Sequence, residues 1–101
     1  MWILQTPGDA DGPLTLRLTP GDAKTVGRAP EADFVVEAPL VSRLHCRLAV
    51  KPAGLEIVDL DSTNGTFVND RRVRRAMLAP GDRVRVGRLT LVVSQAAGDR
   101  R

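Results

Sequence analysis

At 101 residues, with 43% hydrophobic and 27% charged side chains, the chain has the length and composition of one globular domain, not of a disordered or collagen-like segment. Its single cysteine excludes an internal disulfide, and no run has the apolar length of a membrane-spanning helix. Fifteen basic against twelve acidic residues leave a net charge of +3, and thirteen of the bases are arginine, whose planar fork suits carboxylate and phosphate better than lysine does.

The opening stretch MWILQTPGD turns polar too soon to be the apolar region of a signal peptide. The chain is therefore expected in the cytoplasm, as a whole protein or as a piece of a larger one. Residues 14–18 (LTLRL) put Leu14, Leu16 and Leu18 on one face, the alternation of a half-buried strand. In TVGRAPEADFVV, Gly27 and Arg28 fall at the end of a strand and the start of a loop, with a further short strand at 33–36. Residues 45–50 (HCRLAV) alternate again, so His45 faces away from Cys46, Leu48 and Val50. Residues 54–60 (GLEIVDL) read as a central strand, apolar on both faces. Asn64-Gly65 is a strong hairpin signal, and Asn69-Asp70 and Pro80-Gly81-Asp82 mark further turns. Residues 83–86 (RVRV) and 89–93 (LTLVV) are the last two alternating runs, and 94–101 carry no pattern and read as a flexible tail after a domain spanning 1–93. Short alternating runs separated by turns, with no amphipathic helix, predict an all-β sandwich or barrel.

VSRLHC, residues 41–46, gathers Ser42, Arg43, the lone His45 and the lone Cys46. A nucleophilic serine needs a base in reach and a group that orients that base. Strand alternation separates His45 from Cys46, and APLVSR lacks the glycines of a nucleophile elbow, so no catalytic residue is assigned. Cys46 reads as a small buried hydrophobe. Structural zinc wants four Cys or His ligands, and Asp59, Asp61 and Asp70 have no calcium-loop spacing, so no metal or other cofactor is expected. Anion binding fits better: Arg28 at one loop, Ser42 and Arg43 at another, are the usual partners of a phosphate dianion. Ser62, Thr63, Asn64 and Thr66 crowd more hydrogen-bonding groups around Asn64-Gly65 than a hairpin turn needs.

In this order, Gly27-Arg28, Ser42-Arg43-Leu44-His45, Asp61-Ser62-Thr63-Asn64-Gly65-Thr66 and Asn69 resemble the forkhead-associated (FHA) domain, with residues 80–93 matching that family's closing strand pair. The resemblance implies an eleven-stranded β-sandwich with its ligand-binding loops clustered at one end. It implies binding of a phosphothreonine-containing protein or peptide, phosphorylated by a Ser/Thr kinase. It also implies that Arg28, Ser42, Arg43 and Thr63 meet the phosphate and that Asn64 bonds the peptide main chain. Gly27, His45, Gly65 and Asn69 are then architectural. Two alternatives stand beside this reading. One is a nucleic-acid-binding β-domain supported by Arg71, Arg72, Arg74 and Arg75, against which stand only three aromatic residues. The other is an interaction domain indifferent to phosphate.

Overall fold

The computed structural model describes residues 1–8 and 13–96. Its strands are β1 (Trp2–Gln5), β2 (Thr15–Leu18), β3 (Ala23–Gly27), β4 (Phe34–Val35), β5 (Cys46–Lys51), β6 (Gly54–Asp59), β7 (Thr66–Val68), β8 (Arg71–Val73), β9 (Arg75–Leu78), β10 (Arg83–Val86) and β11 (Leu89–Gln95). They form a six-stranded sheet, order β2-β1-β11-β10-β7-β8, and a five-stranded sheet, order β4-β3-β5-β6-β9. The expected eleven-stranded sandwich is thus what the chain forms. Among the described residues, no helix is long and apolar enough to cross a membrane.

Period-two alternation builds the core. Trp2, Leu4, Leu16, Leu18, Val84, Val86, Leu91 and Val93 enter it from the six-stranded sheet, and Val26, Cys46, Leu48, Leu55, Ile57 and Leu78 from the five-stranded one. Register makes them neighbours: Leu4 lies opposite both Leu16 and Val93, and Leu48 lies opposite Ile57.

Four sequence expectations change. Residues 2–5 form a strand, since Trp2 and Leu4 find core partners that so brief an alternation could not announce. β11 continues through Ser94 and Gln95, pairing them with Ile3 and Trp2, beyond the expected domain end at Val93; residues 97–101 of the expected tail lie outside the described residues. β6 is flanked by β5 and β9, but its outer face is not a second apolar layer. Glu56 lies there, buried, with Lys51 Nζ at 2.8 Å from one oxygen and Arg75 Nε at 3.4 Å from the other. Nor do Asn64 and Gly65 make a hairpin: they sit in the passage from β6 in one sheet to β7 in the other. Two-residue hairpins lie elsewhere, at 52–53, at 87–88 and at Asn69-Asp70, where the partners Val68 and Arg71 flank central residues with φ of 51° and 69°.

These connections put the loops 28–33, 36–45, 60–65 and 87–88 at one pole of the sandwich and the turns 19–22, 52–53, 69–70 and 79–82 at the other.

Candidate functional site

Arg28 leaves β3 held at three atoms' reach of the neighbouring loop. Its N–H donates to Ser42 O at 2.9 Å and its Nε to Val41 O at 3.0 Å, while the next N–H, of Ala29, donates to Arg43 O at 3.0 Å. The Nε bond fixes the guanidinium plane, and among the described residues its two Nη groups make no hydrogen bond. This close pairing is possible because residue 27 is glycine: a methyl group there would lie 2.0 Å from Arg43 O and 2.9 Å from Leu44 Cα.

His45 is fully buried and joins two loops. Its Nδ1 accepts from the Ser42 N–H at 3.1 Å, so the ring proton is on Nε2, which donates to Gly65 O at 2.8 Å. The ring is therefore spent on main-chain groups and is no base for the Ser42 hydroxyl. Ser42 Oγ instead accepts from the Thr63 N–H at 3.0 Å, which leaves its own proton free to donate outward. Asn64 Nδ2 donates to Leu40 O at 3.1 Å, holding Leu40 at a φ of 69°, unusual for a side chain branched at Cγ. Three bonds, from His45, Ser42 and Asn64, thus clasp loop 36–45 to loop 60–65. His45→Ala would leave the Ser42 N–H and Gly65 O without partners, at roughly 1–3 kcal/mol each. A thermal melt should show the midpoint lowered by about 10 °C, and an unchanged midpoint would remove the clasp from His45.

Between the clasped loops lies a cleft of about 340 Å³ bordered by Arg28, Leu40, Ser42, Thr63 and Asn64. A second hollow, about 590 Å³, adjoins it between Arg28 and Arg43. The Arg43 guanidinium stands 3.5 Å from Glu31, both largely exposed, a pair too solvated to hold the arginine back from a stronger anion. A larger hollow of about 820 Å³ at the opposite pole, among Trp2, Pro52, Met77 and Pro80, has Lys51 as its one cation among the described residues. The first joins Arg28 to the free hydroxyl of Ser42, the second joins Arg28 to Arg43, and the third has no arginine in its lining among the described residues.

Asp59, which the sequence reading weighs only as a metal ligand, holds this loop in shape with Ser62 and Thr66. The Asp59 carboxylate accepts from Ser62 N–H at 3.1 Å, from Ser62 Oγ, and from Thr66 Oγ1 at 2.7 Å, and Ser62 Oγ in turn accepts from Gly65 N–H at 3.0 Å. The crowd of polar groups around Gly65 therefore divides. Ser62 and Thr66 turn inward to Asp59, while Thr63 and Asn64 face the cleft. An Asp three positions before a Ser is the local pattern that could have revealed it. Burial alone would raise the Asp59 carboxyl, but the bonds from Ser62 and Thr66 outweigh it and hold the group below the ordinary aspartate range. Such a group contributes stability above about pH 4 that is lost as pH falls through its folded value. Wild type and Asp59→Asn should differ in denaturant midpoint at neutral pH and converge as pH falls below the ordinary aspartate range; a gap constant with pH would refute this.

Asn69 does not join the site. It lies past β7 at the other pole, where Nδ2 donates to Asp82 and Oδ1 accepts from Arg83 N–H, both at 3.0 Å. It stabilises loops, but those of the turn 79–82. Cys46 packs in the core, its thiol pushed up to about 12 by burial and by the nearby Asp59 charge. Asp59 is taken up by its hydroxyl partners and Asp70 lies at the far hairpin; among the described residues, no three metal-ligating side chains cluster.

A family model described as FHA domain matches residues 24–87. The ABC transporter ATP-binding/permease protein Rv1747 of Mycobacterium tuberculosis is 46% identical over 90 residues, which are 89% of this chain and 10% of the transporter. A solved structure from a study of phosphothreonine-dependent FHA domain interactions superposes with a TM-score of 0.81 at 31% identity, covering 95% of this chain and 98% of that one. The FhaA FHA domain, solved in complex with the intracellular domain of Rv3910, superposes with a TM-score of 0.81 at 34% identity, covering 92% of this chain and 99% of that one. This chain spans 42–48% of the length of the smaller curated relatives it matches.

Proposed function

Because the chain belongs to the FHA domain family, we propose that it is a phosphopeptide-binding module that recognises phosphothreonine on a protein partner and links that partner to signalling by a Ser/Thr kinase. The observation that carries the reading is the convergence of the two unengaged Nη groups of Arg28 and the free proton of Ser42 on one cleft. A phosphothreonine brings about −1.5 to −2 charges and three acceptor oxygens. Arg28 meets two of those oxygens side by side, Ser42 a third, and Arg43 approaches from the adjoining hollow. Thr63 lines the same cleft and supports the phosphothreonine. Asn64 releases or shares its bond to Leu40 O to reach the peptide main chain. Gly27, His45 and Gly65 hold the loops that carry these groups.

Nothing in this scheme makes or breaks a covalent bond, and the kinase acts before the domain binds. The module belongs on the cytoplasmic side, where phosphothreonine is made. Threonine is preferred to serine through burial of its methyl group, worth roughly 0.8 kcal/mol. An oriented phosphothreonine peptide library, with phosphoserine and unphosphorylated controls, tests the reading: enrichment should require the phosphate and favour threonine, and binding indifferent to phosphate overturns it.

A further inference from the structure

The outer faces of the two sheets differ in charge. On the five-stranded sheet, Glu56 sits amid the cations and engages Lys51 and Arg75. None of the six strands β1, β2, β7, β8, β10 and β11 contains an Asp or Glu. Cross-strand register sets Arg72, Phe67 and Arg85 in one outward row, with Arg83 in the next row and Arg17 in the row beyond. Arg85 is half-buried and lies over the Phe67 ring, 4.1 Å from its centroid, which steadies its guanidinium. Among the described residues, none of these four arginines makes an ion pair.

The row starts at the candidate site. Arg72 lies over Gly65, close enough that a methyl group on that glycine would meet Nε at 2.7 Å, and Gly65 directly follows the cleft residues Thr63 and Asn64. Arg85 is two strand spacings further, about 10 Å. An extended chain advances about 3.3 Å per residue. A peptide leaving the cleft across Gly65 therefore reaches Arg72 within two or three residues and Arg85 about three later.

Resting on the phosphothreonine reading, we propose that this acid-free row is a second contact surface, which receives an acidic segment of the same partner lying roughly two to six residues from the phosphothreonine. An extended segment suits the surface better than a compact anion, because the arginines are spread along a row instead of converging on a point. The arrangement also leaves Arg74 and Arg75 outside the track: Arg75 is engaged by Glu56, and Arg74 lies beyond the end of β8.

The test is calorimetric, in about 50 mM salt. A short phosphothreonine peptide is compared with versions extended on either side by five Asp and Glu residues, and with Asn/Gln counterparts of each extension. Wild type and the double variant Arg72→Gln/Arg85→Gln are titrated, and each protein's gain is taken relative to its own affinity for the short peptide, so a global loss of folding is not mistaken for a lost contact. One acidic extension should tighten wild-type binding at least about fivefold over its neutral counterpart, the sum of a few exposed charge pairs. In the double variant, and in 500 mM salt, the gain should fall below about twofold. No gain from either extension, or a gain kept by the double variant, overturns the proposal. So does an oligothymidylate that binds wild type more tightly than the acidic phosphopeptide and competes with it, which would make the row a nucleic-acid surface. Failure of the phosphothreonine reading shows separately, as equal binding of the short peptide with and without its phosphate.

Discussion

Arg28→Ala is expected to weaken binding of a short phosphothreonine peptide by about 100-fold, measured by titration calorimetry. Two bonds to a charged partner, at roughly 1.5 kcal/mol each, set that scale. The domain should still fold, at a cost of roughly 1 kcal/mol for the Val41 O left without its partner. What Arg28 gives the protein through its side chain is one bond from Nε to Val41 O, and its main-chain bond to Ser42 O survives in alanine. The reason for arginine over any cation lies in this division of labour. Nε is used to orient the plane, and two parallel N–H groups remain for two phosphate oxygens. Lysine has one point of attachment and cannot brace itself while presenting a fork, so Arg28→Lys should recover only part of the loss although it keeps the charge. Phosphopeptide affinity unchanged in Arg28→Ala would take the phosphate out of this cleft.

Gly27→Ala is expected to be the most destabilising single methyl that can be added near the site, at roughly 4 kcal/mol or more, read as a collapsed denaturant midpoint or failure to accumulate folded protein. Its conformation is not the issue, for the reason is space. The added carbon would stand 2.0 Å from Arg43 O and 2.7 Å from Arg43 C, and both atoms belong to a backbone held by the bond from Ala29 N–H to Arg43 O. No side-chain rotation relieves such a contact. Either β3 separates from loop 36–45, which also draws Arg28 away from Ser42, or the domain does not close. A Gly27→Ala protein with wild-type stability would mean that the loop stands further from β3 than described.

The two results separate the roles of adjacent residues: one weakens binding about 100-fold in a folded protein, the other undoes the fold that makes binding possible. His45 belongs with Gly27 in this respect, since both of its ring nitrogens face main chain.

Much of this architecture was legible in the residues. The alternation in 14–18, 45–50, 83–86 and 89–93 assigns each side chain to core or solvent, because successive side chains of a strand point to opposite faces. That is enough to call the chain all-β, to send Cys46 inward, and to part it from His45. The spacing from Gly27-Arg28 through Ser42 to Thr63-Asn64 was legible too, as a resemblance. Shorter strands escaped notice. β1 has two inward residues, Trp2 and Leu4, and their meaning rests on Leu16, Leu18 and Val93, which they meet only after folding.

Local alternation showed which residues of the longer strands face in, and composition showed the surplus of polar groups around Gly65. Where those groups meet was settled by the closed sandwich. Ser42 and Thr63 are bonded across 21 positions and Asn64 reaches Leu40 across 24, contacts that depend on two sheets closing face to face. The same closure turns Thr66 inward to Asp59, sends Asn69 to the far pole, and sets Arg72 over Gly65. Alternation is a local property of the chain and names a face; a neighbour is set by register and by the path of a loop between sheets, which no local period records.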